Sequence, residues 1–350
     1  MDTEILRPTS CTDFERAAET IRSGALVAFP TETVYGLGAN GLDAAACARI
    51  YAAKGRPSDN PLILHIADLA MAHEVASDVP PTAAHLLTAF APGPLTVILP
   101  KAAHIPDIVT GGLSTIGVRC PDHDVARRLI RAAGVPIAAP SANTSGRPSP
   151  TSAAMVYDDM EGRIPLILDG GSCRLGVEST IVDCTEKDTV TILRPGAVTR
   201  EMIAAELPHI EVCMDAALTA EDAAPRAPGM KYTHYAPRMP LTVYVGTGTD
   251  VAAALREELL RRTATGERPA LIASNETITA LSDIIHADDT YHCGARGNHS
   301  AFASCLYDAL RHFDTMPVTS LLAEGVAAVG LGTAIMNRLR KASGGDIRFV

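Results

Sequence analysis

The sequence predicts an α/β protein with two parts: an N-terminal twisted mixed sheet covered by helices, and a smaller C-terminal Rossmann-like α/β layer. Three observations lead to this fold class. Strand-length and helix-length patterns are mixed over residues 1–205 without strict alternation, which favours a sheet with antiparallel pairs. After residue 240 the two patterns alternate, as in a parallel layer. The length of 350 residues exceeds that of one typical domain.

Capping residues indicate where the N-terminal helices start and stop. Residues 12–23 are predicted to form a helix that begins at Thr12 and ends at Gly24. Residues 43–53 are predicted to form a helix that begins at Asp43 and stops near Gly55. Short apolar stretches bounded by turn residues predict strands. These strands are expected at 25–30, 61–66, 95–100, 114–121, 135–140, 165–171, 179–184 and 190–196, with a further helix at 123–134.

Residues 215–240 contain four prolines and no clear periodicity, which predicts a stiff linker. We therefore expect an N-terminal domain over residues 1–208, a proline-rich linker over 209–240 and a C-terminal domain over 241–350. The C-terminal elements are expected to be strands at 241–246 and 269–274 and helices at 250–262, near 300–313 and near 333–342.

Composition and charge argue against several classes of function. The chain carries 30 Lys and Arg against 40 Asp and Glu, so it lacks the basic face that strong direct nucleic-acid binding needs. It has no apolar run of the ~18–20 residues that span a bilayer, and its first residues lack signal-peptide features. A cytoplasmic protein with no membrane partner is expected. Eight cysteines without a C-x-x-C pair indicate reduced, mostly structural thiols.

Two patterns resemble sites without meeting their requirements. The run GLGANG at 36–41 matches the glycine pattern of dinucleotide-binding turns, but Asp59, at the matching distance, precedes the next strand instead of ending it. The histidines and cysteines between residues 286 and 305 fit no standard zinc spacing, so exposed or packed side chains are favoured there.

The most informative stretch is KGRPSDNPL at residues 54–62. Lys54 and Arg56 lie two positions apart at a helix end, and glycine and proline fix the backbone that carries them. Two preset cations fit a polyanion such as a triphosphate. They could also be the usual basic residues of a helix C-terminus, which composition alone favours.

Polar segments also follow two buried strands. These segments are PTETVYG at 30–36 and SANTSGRPS at 141–149. Ligands of α/β sheets bind where loops leave strand ends, although each segment could equally be an ordinary turn. Arg119 and Arg194 lie on otherwise apolar strands, where a buried cation needs an anionic ligand or an internal salt bridge.

Together these motifs resemble the YrdC/Sua5 family, the L-threonylcarbamoyl-adenylate synthases. Residues 15–205 contain, in the family's order, FPTETVYGLGAN, KGRPSDNPL, PGPLTVIL, GVRCP, APSANTSGRPSPT, GVESTIVD and ILRPGAVT. Two further segments resemble the longer Sua5 branch, namely APGMKYTHYAPRMPL and GLGTAIMNRLRKAS. The resemblance implies a YrdC-like catalytic domain at 1–208 and a C-terminal Sua5 domain. We expect the linker to act as a lid that keeps water from hydrolytically fragile intermediates, with a passive tether between two independent domains as the alternative.

The resemblance implies a reaction that joins L-threonine, bicarbonate and ATP into threonylcarbamoyl-AMP and releases pyrophosphate. A threonylcarbamoyl transferase would then pass the group to adenosine 37 of tRNAs that read ANN codons. No protein nucleophile is required, because placing two anions together and neutralising phosphate charge can supply the catalysis. Mg²⁺ is the expected counter-ion of ATP.

The resemblance also implies roles for individual residues, with Lys54 and Arg56 catalytic. Tyr235 would close over the nucleotide, although Tyr232 and His234 lie close enough in the linker to leave that choice open. ATP would contact Lys54, Arg56, Asn60, Thr115, Ser141, Asn143, Ser149, Arg194 and Tyr235. Threonine would contact Thr33, His65, Arg119, Ala139 and Ser179, with Arg119 meeting the carboxylate.

Two other classes remain as alternatives. One is a carbamoyl-transfer module of the same fold, but such modules carry acylphosphatase and C-x-x-C zinc segments that this sequence lacks. The other is a non-catalytic RNA-binding protein, against which the negative charge argues.

Overall fold

The computed structural model describes residues 2–216 and 234–350, and these form two compact units. The first unit comprises residues up to 145 together with 149–216, and the second comprises 146–148 together with 234–350. Most of the predicted linker, and with it the expected lid, lies outside the described residues. Each unit is described by itself.

The first unit is built on a mixed sheet of eleven described strands, in the order β1-β8-β2-β3-β7-β4-β6-β5-β9-β10-β11. The strands are β1 (Glu4–Leu6), β2 (Val27–Phe29), β3 (Gly36–Asn40), β4 (Ile63–His65), β5 (Leu95–Pro100), β6 (Thr115–Arg119), β7 (Ile137–Ala139), β8 (Leu166–Leu168), β9 (Thr180–Asp183), β10 (Thr189–Arg194) and β11 (Glu211–Met214). Parallel and antiparallel neighbours both occur, which confirms the predicted mixed α/β fold class.

Helices cover both faces of this sheet. They are α1 (Cys11–Arg22), α2 (Ala44–Lys54), α3 (Ala70–Val75), α4 (Pro81–Phe90), α5 (Asp107–Thr110), α6 (Asp124–Ala133), α7 (Ala153–Met160) and α8 (Arg200–Glu206). Successive strand residues alternate between the faces, as the pleat requires. Val27 and Phe29 of β2 pack with α1 and α6, whereas Ala28 joins the larger core beneath α2, α4 and α7.

Local capping explains where the two earliest helices start. Asp43 accepts hydrogen bonds from the first-turn amides of α2, as predicted, and Gly55 ends that helix in the left-handed conformation with φ 62°. The N-cap of α1 is Ser10 rather than the predicted Thr12, because Ser10 and Asp13 form a capping box. Thr12 therefore lies inside the first turn.

The run at 36–41 forms a central strand and the turn after it. β3 pairs with β2 on one side and with β7 on the other. A side chain on Gly38 would come within 2.7 Å of Ile137, and one on Gly41 within 2.5 Å of Leu64. These glycines are therefore explained by close packing within the sheet.

The second unit is a five-stranded, all-parallel sheet in the order β14-β13-β15-β12-β16, among the described residues. Its strands are β12 (Leu241–Val245), β13 (Pro269–Ala273), β14 (Thr290–His292), β15 (Ser320–Glu324) and β16 (Ile347–Phe349). Its helices are α9 (Gly248–Ala264), α10 (Asn275–Leu281), α11 (His299–His312) and α12 (Leu331–Ala342), with 3₁₀ turns at Ala287–Asp289 and Phe313–Thr315. This is the parallel layer that the alternating pattern predicts.

No helix within the described ranges combines the length and the apolar character that crossing a bilayer requires.

Candidate active site

Three of the residues predicted to bind threonine meet where buried strands end. β4 and β6 run parallel and pair His65 with Arg119, the last residue of each strand. Thr33 lies in the turn after β2, and its Oγ1 accepts a hydrogen bond from Arg119 Nη2 at 3.0 Å. Ala139 ends the neighbouring strand β7, opposite Ile63 of β4. The carboxyl ends of β4 and β6 therefore place a guanidinium beside a hydroxyl and an imidazole.

His65 is held as an uncharged imidazole. It is 4% exposed, its ring packs edge-on against Phe29, and Nδ1 lies 3.3 Å from the carbonyl oxygen of Ile63. Burial, reinforced by the positive charge of Arg119, lowers the pKa of His65 to about 3. At neutral pH the ring can therefore donate or accept a hydrogen bond without adding charge.

The same depressed pKa predicts acid sensitivity of the fold. Below pH 6.5 His65 binds a proton in the unfolded chain but not in the folded chain. The free energy of unfolding therefore falls as the pH falls. At pH 5 this one group should lower the free energy of unfolding by about 2 kcal/mol relative to pH 7. Calorimetric melting at both pH values should therefore show a smaller acid-induced decrease in Tm for His65→Gln than for the unchanged protein. Equal decreases would contradict the prediction, and the exposed His104→Gln is the matched control.

Glu32 is a buried carboxylate beside Arg119 that the sequence analysis did not single out. It is 2% exposed, and its Oε2 lies 2.7 Å from Arg119 Nη2. Neither carboxylate oxygen receives an aligned hydrogen bond. The only sequence feature that pointed to Glu32 is its position in the polar turn PTETVYG. The sequence does not show whether a carboxylate in such a turn is buried or exposed to solvent.

Buried thiols lie near this carboxylate. Cys120 follows Arg119, and Cys173 lies within electrostatic range of Glu32. Burial raises the pKa of Cys120 to about 11 and that of Cys173 to about 12. All eight cysteines are free, and Cys11 at the start of α1 is exposed.

Lys54, the first predicted cation, contacts the loop after β7. Its side chain is 1% exposed, and its ammonium group donates to the backbone oxygens of Ser141, at 2.5 Å, and of Asn143. Ser141 Oγ donates in turn to Asn143 Oδ1 at 2.5 Å. Lys54, Ser141 and Asn143 therefore form one hydrogen-bonded group, which ties the helix end to the loop.

Arg56 and Asn60 form a second group in the turn after α2. The Arg56 guanidinium donates to the carbonyl oxygens of Asn60 and Pro61, at 3.3 and 3.0 Å. The side-chain amide of Asn60 is 1% exposed, yet neither of its polar atoms has a hydrogen-bond partner. A buried amide without partners is costly, and a group that brought both a donor and an acceptor would remove that cost.

A third group lies where β9 and β10 pair. Arg194, the last residue of β10, donates from Nε to the carbonyl oxygen of Ser179 and from Nη2 to its hydroxyl, both at 3.1 Å. Ser179 also shares a hydrogen bond with Thr96 at 2.8 Å. The adjacent Glu178 accepts from the hydroxyl of Ser149 at 2.6 Å. Glu178 is the second buried carboxylate that the sequence analysis missed.

Two predicted ATP contacts are not members of these hydrogen-bonded groups. Thr115 begins β6, four residues before Arg119 at the other end of that strand. Tyr235 belongs to the second unit, where it is 5% exposed and stacks on Tyr307 of α11 with ring centroids 5.2 Å apart. Arg338 of α12 lies 5.9 Å from the Tyr235 ring. A role for either residue toward a nucleotide stays a prediction.

The part of the chain that the structure describes contains no group of three or more His, Cys, Asp or Glu side chains able to hold a metal ion.

Comparison with known proteins gives this arrangement a context. The family model described as telomere recombination, Sua5_yciO_yrdC, matches residues 19–196. A second model, threonylcarbamoyl-AMP synthase C-terminal domain, matches residues 198–344. The chain belongs to the Sua5/YrdC family. The two matches place it with the long, two-domain Sua5 members.

Full-length relatives of this Sua5 family member bear a common name. The threonylcarbamoyl-AMP synthase of Bacillus subtilis is 46% identical over 95% of this chain and 93% of its own length. The protein of that name from Pyrococcus abyssi is 47% identical over 94% and 93%. A crystal structure of Pyrococcus abyssi Sua5 complexed with L-threonine is similar at a TM-score of 0.92, with 44% identity and complete coverage of both chains.

Proposed function

We propose that this chain is a threonylcarbamoyl-AMP synthase, which makes threonylcarbamoyl-AMP and pyrophosphate from L-threonine, bicarbonate and ATP. The observation that carries the proposal is the similarity over the whole chain to a Sua5 complexed with L-threonine. Relatives named threonylcarbamoyl-AMP synthase at 46% and 47% identity support the same reaction.

The strand-end group suits the amino-acid substrate. Arg119 can bind a carboxylate through two parallel hydrogen bonds, which no other side chain does as well. Its burial among Thr33 and the uncharged His65 keeps water from competing for that contact. Ala139 and Ser179 complete the set of residues that we propose around threonine.

The cationic turn suits the nucleotide. Lys54 and Arg56 are held by backbone carbonyls, so their charges are positioned before ATP arrives. Asn60 offers an unsatisfied amide. Within the first unit, the proposed ATP set is Lys54, Arg56, Asn60, Thr115, Ser141, Asn143, Ser149 and Arg194.

Mg²⁺ would enter with ATP as part of the substrate. Mg²⁺ in such sites is held mostly by phosphate oxygens and water, with one or two protein oxygens. The hydroxyls of Ser141 and Ser149 are hard oxygen donors of the type it accepts. The ion would neutralise phosphate charge.

The chemistry needs positioning more than a reactive side chain. Threonine and bicarbonate give a carbamate and water, and a carbamate oxygen attacks the α-phosphorus of ATP. The bond from that phosphorus to the bridging oxygen breaks, and pyrophosphate leaves with the electron pair. Both reactants are anions, so Lys54 and Arg56 would lower the barrier by neutralising charge that would otherwise repel.

The product would pass to a transferase that modifies adenosine 37 of ANN-decoding tRNAs, and the reaction would take place in the cytoplasm. An acyl-adenylate hydrolyses readily, which makes rapid handover to that partner useful.

The decisive assay measures release of pyrophosphate from ATP. We expect release only when threonine and bicarbonate are both present, together with threonylcarbamoyl-AMP detected by mass spectrometry. Because all three substrates are consumed in one product, omission of either threonine or bicarbonate should return the rate to background. Equal release without threonine would refute the synthase assignment and leave a simple ATPase.

The alternatives are less well supported. Both family models and the full-length relatives correspond to the Sua5 architecture, which favours synthesis over carbamoyl transfer. The net charge of −10 speaks against a protein whose main role is to bind RNA.

A further inference from the structure

The buried Glu32–Arg119 pair is unusual among ion pairs because it lacks hydrogen bonds to the carboxylate. The two charged groups are 2.7 Å apart, and their side chains are 1% and 5% exposed. Arg119 Nη2 directs its hydrogen bond to Thr33 Oγ1 instead. A buried ion pair usually recovers its desolvation cost through aligned hydrogen bonds, so this one leaves a cost uncompensated.

The hydroxyl of the adjacent Thr31 is already engaged elsewhere. The hydroxyl of Thr31 donates a hydrogen bond to the carbonyl oxygen of Val34. It also accepts hydrogen bonds from the backbone amides of Thr33 and Val34. The backbone of Glu32 is fixed by a hydrogen bond from the amide of Leu175 to its carbonyl oxygen. The turn therefore fixes the backbone of Glu32 and supplies no hydrogen-bond donor to its carboxylate.

An α-amino acid is the complement of such a pair. Standard bond lengths place its ammonium nitrogen about 2.5 Å from its carboxylate carbon. That spacing resembles the spacing of the two protein charges, with the signs reversed. Arg119 can take the carboxylate while Glu32 accepts hydrogen bonds from the ammonium group.

We propose that Glu32 binds the ammonium group of threonine and accepts one of its protons when the amine reacts. This inference rests on the proposed function and deepens its amino-acid site. An ammonium nitrogen has no lone pair, so it must lose a proton before it can attack carbon. One N–H bond breaks and the proton passes to the Glu32 carboxylate. The nitrogen then bonds to the carbon of bicarbonate, whose hydroxyl group leaves as water with a second amine proton.

Comparison with Glu178 favours Glu32 as the carboxylate that binds the ammonium group. Both carboxylates are buried beside predicted site residues. Glu178 already accepts the hydroxyl of Ser149 at 2.6 Å. Glu32 is the one whose oxygens lack any such donor among the described residues. Glu178 therefore serves as the matched control.

The test compares L-threonine with 3-hydroxybutyrate, which has a hydrogen in place of the amino group. Calorimetric titration of the full-length protein should show that the unchanged chain prefers threonine by about 10- to 100-fold, as expected for a charge-assisted contact. Glu32→Gln should bring that ratio close to one, with 3-hydroxybutyrate bound at least as tightly as before. Glu178→Gln should leave the ratio unchanged.

The kinetic counterpart concerns proton acceptance. At saturating threonine, Glu32→Gln should lower kcat by at least ~100-fold, while Glu32→Asp, which keeps the base, should retain much more activity. ATP affinity measured without threonine should be unchanged in both variants. A Glu32→Gln variant that keeps the preference, or that weakens both ligands equally, would show that Glu32 only positions Arg119.

The outcomes separate this inference from the function it rests on. If the unchanged protein binds neither ligand, the proposed function itself fails. If it makes threonylcarbamoyl-AMP but binds both ligands equally, the function stands and the role of Glu32 is refuted. This last measurement needs no variant, so it decides the question even if Glu32→Gln fails to fold.

Discussion

Replacement of Lys54 by alanine should abolish threonylcarbamoyl-AMP formation, and Arg56→Ala should do the same. Each charge-assisted contact to a phosphate contributes about 1.5–3 kcal/mol, and each cation can make more than one. We therefore expect kcat/KM to fall by at least ~100-fold, mostly through kcat if the contacts strengthen in the transition state. Steady-state kinetics with ATP varied at saturating threonine and bicarbonate would measure this.

Stability must be followed in the same variants, because Lys54 is also structural. Without its ammonium group, the backbone oxygens of Ser141 and Asn143 lose a buried donor, which should cost about 1–3 kcal/mol of unfolding free energy. Arg56 is only partly buried, so its removal should cost less. Arg49→Ala, an exposed change on the same helix, is the control for losing a cation there. Near-normal turnover in both Lys54→Ala and Arg56→Ala would refute the phosphate assignment.

The second large effect is expected for Arg119→Lys. A guanidinium can bind the threonine carboxylate through two hydrogen bonds while it also donates to Thr33, and an ammonium cannot reproduce that planar geometry. We expect KM for threonine to rise by about 10- to 100-fold, as for loss of one charge-assisted contact. The dissociation constant of ATP, measured without threonine, should change by less than about twofold.

Glu32 makes Arg119→Lys a sharper test than Arg119→Ala. Lysine preserves a positive charge near the buried carboxylate, so the fold is not left with an uncompensated charge. A melting temperature close to that of the unchanged protein should accompany the weaker threonine binding. Equal losses for threonine and ATP would instead indicate a structural role for Arg119.

The parts of the fold that follow from local chemistry could be predicted from the sequence. Asp43 and Gly55 bound α2 because capping and left-handed turns depend on a few adjacent residues. β5 extends over residues 95–100, as predicted from its apolar run. β3 could not be predicted in this way, because glycine has a low propensity for strands. Its glycines are explained by the close approach of neighbouring side chains such as Ile137.

In the candidate site too, some features follow from local sequence motifs and others depend on the folded sheet. The motif order identified Lys54, Arg56 and Arg119, and the hydrogen bond between Arg119 and Thr33 joins two of the motifs. The pairing of Glu32 with Arg119 spans 87 positions and depends on the register of the sheet, which no local pattern encodes. The unpartnered amide of Asn60 is also invisible in the sequence, since it is defined by burial.

The burial of the cysteines has a practical consequence for spectroscopy. Only a thiolate reacts readily with maleimides or iodoacetamides, and the raised pKa values of Cys120 and Cys173 keep those thiols protonated at neutral pH. Cys11, at the start of α1, is exposed. A fluorophore or spin label attached at pH 7 would therefore go first to Cys11. The native chain could then be labelled at this position, with no cysteine removed from its core.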